Sequence, residues 1–530
     1  MQPAESLSAM DRAVKRGAMD EAVRLAGQAL AAGIRHPMPF TLRSHWHEAN
    51  GRFAEALADM NSAAALAPGN PGILNSTGRI LTSLGRAEEA LAPLDEAIRR
   101  APGLAAAHYN RAFALEQLGD LPGACASYEQ AEALAPDTTD AQSRLALLAA
   151  RRNDFATARD LARRALAQRP GDPTALFALA LAALAARDFA AAECHARDAA
   201  ASPRATAEQR AHALTYLGDA LDGQARAAEA FAAWQESKTV QAPLFHLRAH
   251  GLEPGADMAD RLTRALEATN AADWTRSSEG DAPLFILGFP RSGTTLLGQI
   301  LGAHPQVALL EEKELVRDAA QRQLQPDGVA ALAALSADER ARYRAAFVAR
   351  ARAAGWTADR LLLDQSAYNT LYLPAIAALF PGARVIFALR DPRDVVLGCY
   401  RRLFLANALS REFLSLERAA LFYDRAMRLA EAARARLPLT FHDVRNEELV
   451  ADFEGTAKAL CAFAGLSWDP AVARFAERAR SRAIATPSAV QVARGINADS
   501  VGRWRAYRDA LAPVLPQLAP WAARFGYADG

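Results

Sequence analysis

Phe285-Ile-Leu-Gly-Phe-Pro-Arg-Ser-Gly-Thr-Thr-Leu-Leu297 decides how this chain is read. An apolar strand-like run enters a tight Gly/Pro turn, and an apolar helical pattern starts directly after it. From Gly288 to Thr295 the turn reads G-x-x-x-x-G-T-T, the frame of a phosphate-binding loop. Glycines let such a backbone curl until successive N–H groups face one anion, and the following helix directs its positive end there. Thr294 stands where that frame usually carries a lysine, the residue that holds the β- and γ-phosphates of a nucleoside triphosphate. Arg291 and the two threonine hydroxyls suit instead a single phosphate that carries a sulfonate.

Outward from the loop, Leu296, Leu297, Ile300 and Leu301 fall at helical spacing and predict a helix packed on a sheet. Strand-length apolar runs follow at Leu361–Leu363, Val385–Leu389 and Leu439–Val444, separated by helical patterns. Parallel strands with right-handed crossovers are the expectation. Ligands of such sheets bind beyond the carboxyl ends of the strands, where Arg291, Asp364, Arg390 and Arg445 stand. A guanidinium at Arg390 can pair bidentately with a second phosphate group. Arg402, on a helix beginning near Asp394, can close over the same group.

The first half has a different grammar. Prolines 68, 102, 136 and 170 recur every 34 residues, with Pro203 one residue early. In the same phase stand Ala56, Ala90, Ala124, Ala158 and Ala192, then Ala63, Ala97, Ala131, Ala165 and Ala199. The turn between helices carries Gly51, Gly85, Gly119, Asn153 and Arg187. Alanine lets paired helices approach closely and proline stops the second helix of each pair. This pattern resembles the tetratricopeptide repeat. About seven repeats are expected over residues 1–240, then a connector over 241–282 and an α/β domain over 283–530. The array either scaffolds the protein or binds a peptide or partner protein. His36, His45 and His47 lack metal-ligand spacing on one helical face.

Apolar residues make up 51% of the 530 and charged residues 23%, with a formal net charge of +1, ordinary for a soluble multidomain protein. No overall basic character argues for nucleic acid. The cysteines, Cys125, Cys194, Cys399 and Cys461, lie far apart and read as core residues of a reducing compartment. The first residues lack the pattern of a signal peptide, and no apolar run is long enough for a bilayer. A cytoplasmic location without membrane attachment is therefore expected. The heavy Ala/Arg/Leu usage resembles a GC-rich bacterial coding sequence.

The loop P-R-S-G-T-T and the later Arg390-Asp-Pro-Arg-Asp394, each after a strand, resemble the sulfotransferases that use 3′-phosphoadenosine-5′-phosphosulfate (PAPS). The nearest likeness is the tyrosylprotein sulfotransferase branch and its bacterial relatives fused to tetratricopeptide repeats. The resemblance covers about residues 283–527. It implies a sulfotransferase fold: a parallel sheet with a P-loop-like turn, preceded here by an all-α repeat solenoid. It also implies that Arg291, Ser292, Gly293, Thr294 and Thr295 cradle the 5′-phosphosulfate. Arg390 corresponds to the family's 3′-phosphate arginine and Arg402 to its later helical arginine. His304-Pro-Gln-Val-Ala-Leu-Leu-Glu-Glu312 matches the family segment whose second glutamate is the catalytic base, which points to Glu312. Glu311 and Glu314 stand near enough in sequence to take that role. Ser488, Arg494 and Arg503 fall in segments resembling the cofactor-covering loop and the basic residue after it. The family's reaction needs no metal, and Arg291 would stabilise the leaving phosphate. The chain departs from the family at Gly398, in place of a serine, at Gln365, in place of a lysine, and at Asn446, in place of a tyrosine.

The acceptor implied is a hydroxyl, with a protein tyrosine, a saccharide and a small molecule all open. Two other readings compete. One is a P-loop kinase or nucleotidase, against which the missing lysine weighs. The other is a repeat-protein adaptor whose transferase domain has decayed.

Overall fold

The protein was analysed as a computed structural model, which describes residues 3–248, 251–274, 282–404, 407–481, 495–496, 498 and 501–527. Two compact units divide the chain, Met1–Ala182 and Ala183–Gly530.

The first unit is built from helices of 13 or 14 residues, from Pro3–Lys15 onward, each packed on the next. Its phased alanines lie at the helix contacts: Ala56, Ala63, Ala90, Ala97, Ala124, Ala131, Ala158 and Ala165 are at most 2% exposed. A methyl group there allows close backbone approach, and larger residues such as Met60, Ile80 and Leu94 fill the space between. The helices end at Leu66, Arg100, Leu134 and Gln168, two residues before the periodic prolines. The turn position has a left-handed backbone in every repeat, with φ from +60° to +80° at Gly17, Gly51, Gly85, Gly119, Asn153 and Arg187. Glycine reaches that region without penalty and asparagine tolerates it, which explains most of the periodic turn residues.

The second unit opens with further helices of the same kind, Phe189–Ala201, Ala207–Gly223 and Ala227–Arg248. Thr206 and Gln209 form a reciprocal capping box at the start of Ala207–Gly223. Gly218 brings this helix against Trp234, whose Nε1 lies only 2.2 Å from where a Cβ at 218 would stand. The helix Gly255–Ala268, inside the stretch expected to be a connector, packs on Leu416–Arg436 through Gly255 against Phe422 and an Asp260–Arg425 ion pair.

A five-stranded, wholly parallel sheet follows: β1 (Leu284–Gly288), β2 (Val307–Glu311), β3 (Leu361–Gln365), β4 (Arg384–Leu389) and β5 (Thr440–Arg445). The strand order is β2-β3-β1-β4-β5. Four of these strands are legible as apolar runs. The fifth, β2, lies inside the His304–Glu312 segment and is too short to separate from a loop by pattern alone. One face of the sheet carries Leu284, Ile286, Leu363 and Ile386 against Leu297, Ile300 and Leu301. The other seats Phe285 on Phe347 and Phe380. The chain leaves β1 toward β3 and β2, then crosses to β4 on the opposite side. That reversal opens a crevice beyond the carboxyl end of β1. No helix among the described residues is long and apolar enough to cross a membrane.

Candidate functional site

The turn after β1 is tied at both ends. The Thr370 hydroxyl accepts from the Gly288 N–H at 3.0 Å and donates to the Gly288 carbonyl at 2.5 Å. Cys399 Sγ donates to the Pro290 carbonyl at 3.2 Å, and Arg390 Nη1 to that of Arg291 at 3.3 Å. Gly288 must be glycine, since a Cβ would stand 2.6 Å from Ser292 Oγ and 2.8 Å from the Ala388 carbonyl. Arg291 and Gly293 have φ of +71° and +110°, a curl that leads into the helix Thr294–Gly302. Ser292, Thr294 and Thr295 are buried, and Ser292 Oγ has no hydrogen-bond partner among the described residues. A helix N-terminus directs N–H groups and positive potential outward, which suits an anion, and the buried Ser292 hydroxyl stands beside it.

Guanidinium groups surround this turn. Burial pushes Arg291 down to about 9, and the nearby positive charges of Arg402 and Arg390 push in the same direction. Like charges held together in a buried place call for a counter-charge. Arg390 is buried at the end of β4 with Asp394 Oδ2 at 3.8 Å from Nη2. Arg402, expected on a helix, stands two residues past the end of the helix Pro392–Tyr400; it is paired with Asp219 of the helix Ala207–Gly223, and its Nε is buried without a partner among the described residues. Arg503 bonds Asp222 through Nε at 3.2 Å. Ser488 and Arg494 lie outside the described residues. Arg445 is engaged elsewhere, with Glu448 at 3.2 Å and the Gly526 carbonyl at 3.2 Å.

The opposite side of the crevice is acidic. Glu312 follows β2 with φ +51°, and its N–H donates to the Gln365 carbonyl at 2.9 Å. Ser366 Oγ donates to Glu312 Oε2 at 2.6 Å. The carboxylate is open to water by area, yet protein atoms crowd it on most sides. That desolvation raises it above the usual carboxylate range despite the help of Ser366 and the Ala367 N–H. Asp364, wholly buried, is pushed up to about 8 by burial and then by Glu312. It accepts from Asn369 Nδ2 at 3.2 Å. Strand ends thus set arginines on one side and a raised carboxylate on the other.

Residues 283–470 match the sulfotransferase family, and residues 47–105, 94–139, 109–173 and 143–207 match the tetratricopeptide repeat. Residues 283–470 thus hold a sulfotransferase-family domain. An uncharacterized protein of Aquifex aeolicus is 28% identical over 257 residues, which are 46% of this chain and 33% of that protein. Protein-tyrosine sulfotransferase 2 of Gallus gallus is 26% identical over 278 residues, 46% of this chain and 69% of that protein. The chain therefore spans a third of the first relative's length. Among solved structures, a tetratricopeptide repeat protein from Parabacteroides merdae aligns with TM-score 0.37 and 18% identity, over 45% of this chain and 93% of its own.

Within the sulfotransferase domain the three departures have local causes. Gly398 lets the Arg291 stem lie flat on its helix, since a Cβ there would be 3.3 Å from Arg291 Cβ. Gln365 approaches Glu312, Nε2 to Oε1 at 3.4 Å, and packs beside Gly298 of the loop helix. Asn446 closes over Gly293, its Oδ1 3.4 Å from a Cβ placed there. Sequence reasoning did not find Asp219, Asp222 or Lys238, which reach the arginines from helices read as repeats. Nothing in their spacing signals it, because their partners lie more than 160 residues away.

Proposed function

We propose that the sulfotransferase domain transfers a sulfuryl group from PAPS to an acceptor hydroxyl, and that the acceptor is a protein tyrosine. One observation carries the reading. A lysine-free turn beside arginines, after β1, and the raised Glu312 carboxylate, after β2, stand at the carboxyl end of one parallel sheet with β3 between them. The residues present fit the donor: Ser292 Oγ and Arg402 Nε are buried polar atoms that phosphate oxygens would satisfy. Thr294 in place of a lysine fits a phosphosulfate better than a triphosphate.

In this reading Arg291, the Thr294 and Thr295 hydroxyls and the N–H groups of the Thr294–Gly302 helix hold the 5′-phosphosulfate. Arg390 and Arg402 hold the 3′-phosphate. Glu312 takes the acceptor's proton as the acceptor oxygen bonds to sulfur. The bond from sulfur to the phosphate oxygen breaks, and its electron pair leaves with the phosphate. Arg291 and the turn stabilise the charge that collects there. Desolvation raises the Glu312 carboxyl and makes its carboxylate a stronger base. The strained backbone at Glu312 supports a functional role, since such strain persists where geometry is needed. The tyrosine acceptor rests on the Gallus gallus relative's activity, with the repeats as the surface that recruits the acceptor protein.

Calorimetry with adenosine 3′,5′-bisphosphate, without Mg²⁺, tests the donor site, and transfer of labelled sulfate to a tyrosine peptide tests the reaction. Binding and transfer are expected. Mg²⁺-dependent ATP binding with no response to the bisphosphate would make the domain a kinase. Bisphosphate binding without transfer to any acceptor would leave an adaptor.

A further inference from the structure

The helix Ala207–Gly223 turns one face, Asp219 and Asp222, toward the arginines of the donor side. Both carboxylates are nearly buried, at 11% and 7% side-chain exposure. Asp219 spans two consecutive guanidinium groups, with Oδ1 at 2.8 Å from Arg401 Nη2 and Oδ2 on Arg402 Nη1. Asp222 Oδ2 meets the same Arg401 nitrogen, Nη2, at 2.9 Å and also pairs with Arg503, while its Oδ1 accepts from the Tyr507 hydroxyl at 2.6 Å. Arg401 also lies over the Trp234 ring at 4.7 Å, and Trp234 in turn packs on Tyr507. From the next helix, Lys238 Nζ donates to the Arg402 carbonyl at 2.6 Å. On the far side, Asp394 accepts from the Gly502 and Trp504 N–H groups at 2.7 and 2.8 Å while facing Arg390. A continuous chain of charges therefore runs from Arg390, through Asp394 and the 502–507 turn, to Asp222, Arg401, Asp219 and Arg402.

Arg402 sits where this chain meets the cradle. Its charge is the largest neighbouring influence on Arg291. Without a counter-charge behind it, the Arg402 guanidinium would be driven from Arg291 by like-charge repulsion. Asp219 neutralises it from behind and leaves Nε without a protein partner. Burial pushes Asp219 up, but Arg402 and Arg401 outweigh it and hold the carboxyl below its usual range, so it stays ionised.

We propose that Asp219, supported by Asp222, is a positioning residue for the donor nucleotide: it fixes Arg402 so that the site selects an adenosine nucleotide bearing a 3′-phosphate. The last helical hairpin is thereby a working wall of the donor site, contributed by sequence that has the form of repeats. This rests on the reading of Arg390 and Arg402 as 3′-phosphate ligands.

The test compares adenosine 3′,5′-bisphosphate with adenosine 5′-monophosphate, by calorimetry on the full chain. In Asp219→Asn the preference for the bisphosphate falls by about tenfold or more, while monophosphate affinity stays near its original value. Asp219→Glu restores part of the preference, and Arg402→Lys added to Asp219→Asn costs little more. A merely structural role would weaken both nucleotides together. An unchanged preference in both Asp219→Asn and Asp222→Asn overturns the proposal. So does tighter bisphosphate binding, which would make Asp219 a competitor for Arg402. If the unaltered protein binds neither nucleotide, the donor reading itself fails and this inference falls with it.

Discussion

The two compact units treat charge in opposite ways. In Met1–Ala182 the interior is mostly alanine and leucine, and ion pairs such as Arg86–Glu89 and Arg99–Glu96 lie on open helix faces. Asp59 and Asp172 are the buried acidic exceptions. In Ala183–Gly530 charges go inside: Asp364, Arg390, Asp391, Arg393, Asp394 and Glu412 are all at most 9% exposed. Exposed pairs contribute little, about 0–1 kcal/mol each, so the repeats depend on packing for stability. Buried charges cost desolvation and are retained where they hold geometry or bind something charged. The contrast separates a unit held together by apolar packing from one that keeps charged groups inside.

The sharpest test of that contrast is at Glu312. Glu312→Gln is expected to lower turnover by about 10²-fold or more while nucleotide affinity stays nearly intact. Because desolvation raises the Glu312 carboxyl, the rate of the unaltered enzyme rises with pH to a plateau later than an ordinary glutamate would give. Normal turnover in the glutamine variant removes Glu312 from the mechanism. Next in size, Arg390→Ala is expected to weaken adenosine 3′,5′-bisphosphate by about 2–3 kcal/mol, the range for charge-assisted hydrogen bonds. Equal losses for the bisphosphate and the monophosphate would show that Arg390 does not read the 3′-phosphate.

Asp364 carries a pH signature. It is pushed up to about 8 in the folded chain and titrates near its ordinary value, about 4, when unfolded. Between those values the folded state binds the extra proton, so this contribution is full at low pH and is lost as pH rises toward 8. Asp364→Asn removes that slope and is expected to raise stability at pH 8 relative to pH 5. Thermal melts at pH 5 and pH 8 measure it, and parallel slopes in the two proteins would contradict it. The smallest effect belongs to the repeats. Gly85 has φ +76° with nothing within 4 Å of an added Cβ, so Gly85→Ala costs only backbone strain, about 1 kcal/mol. Melting temperature should drop with no change in nucleotide affinity. A shift in affinity would break the separation between the units.

Legibility in the sequence followed the range of the interactions. The repeats were readable because each helix pair solves the same local problem, so Ala56, Gly51 and Pro68 recur in phase. The turn at 288–295 was readable because its constraint is also local: eight consecutive residues must curl tightly from a strand into a helix. The strand β2 was obscured, since Val307–Leu310 is only one short apolar run between a proline turn and two glutamates. A residue at the end of a strand rather than of a helix is what lets Glu312 meet Ser366.

The amino-acid order by itself determined the helical repeats, the parallel α/β domain and the anion turn at 288–295, because propensity, spacing and backbone sterics act over a few residues. Only the tertiary structure decided what surrounds Arg402, that Asp219 and Asp222 reach Arg401, Arg402 and Arg503, and that the Asp364 carboxyl is buried and raised by Glu312. Coulomb forces and desolvation depend on distance in space, and the chain order does not encode which distant charges will be brought together.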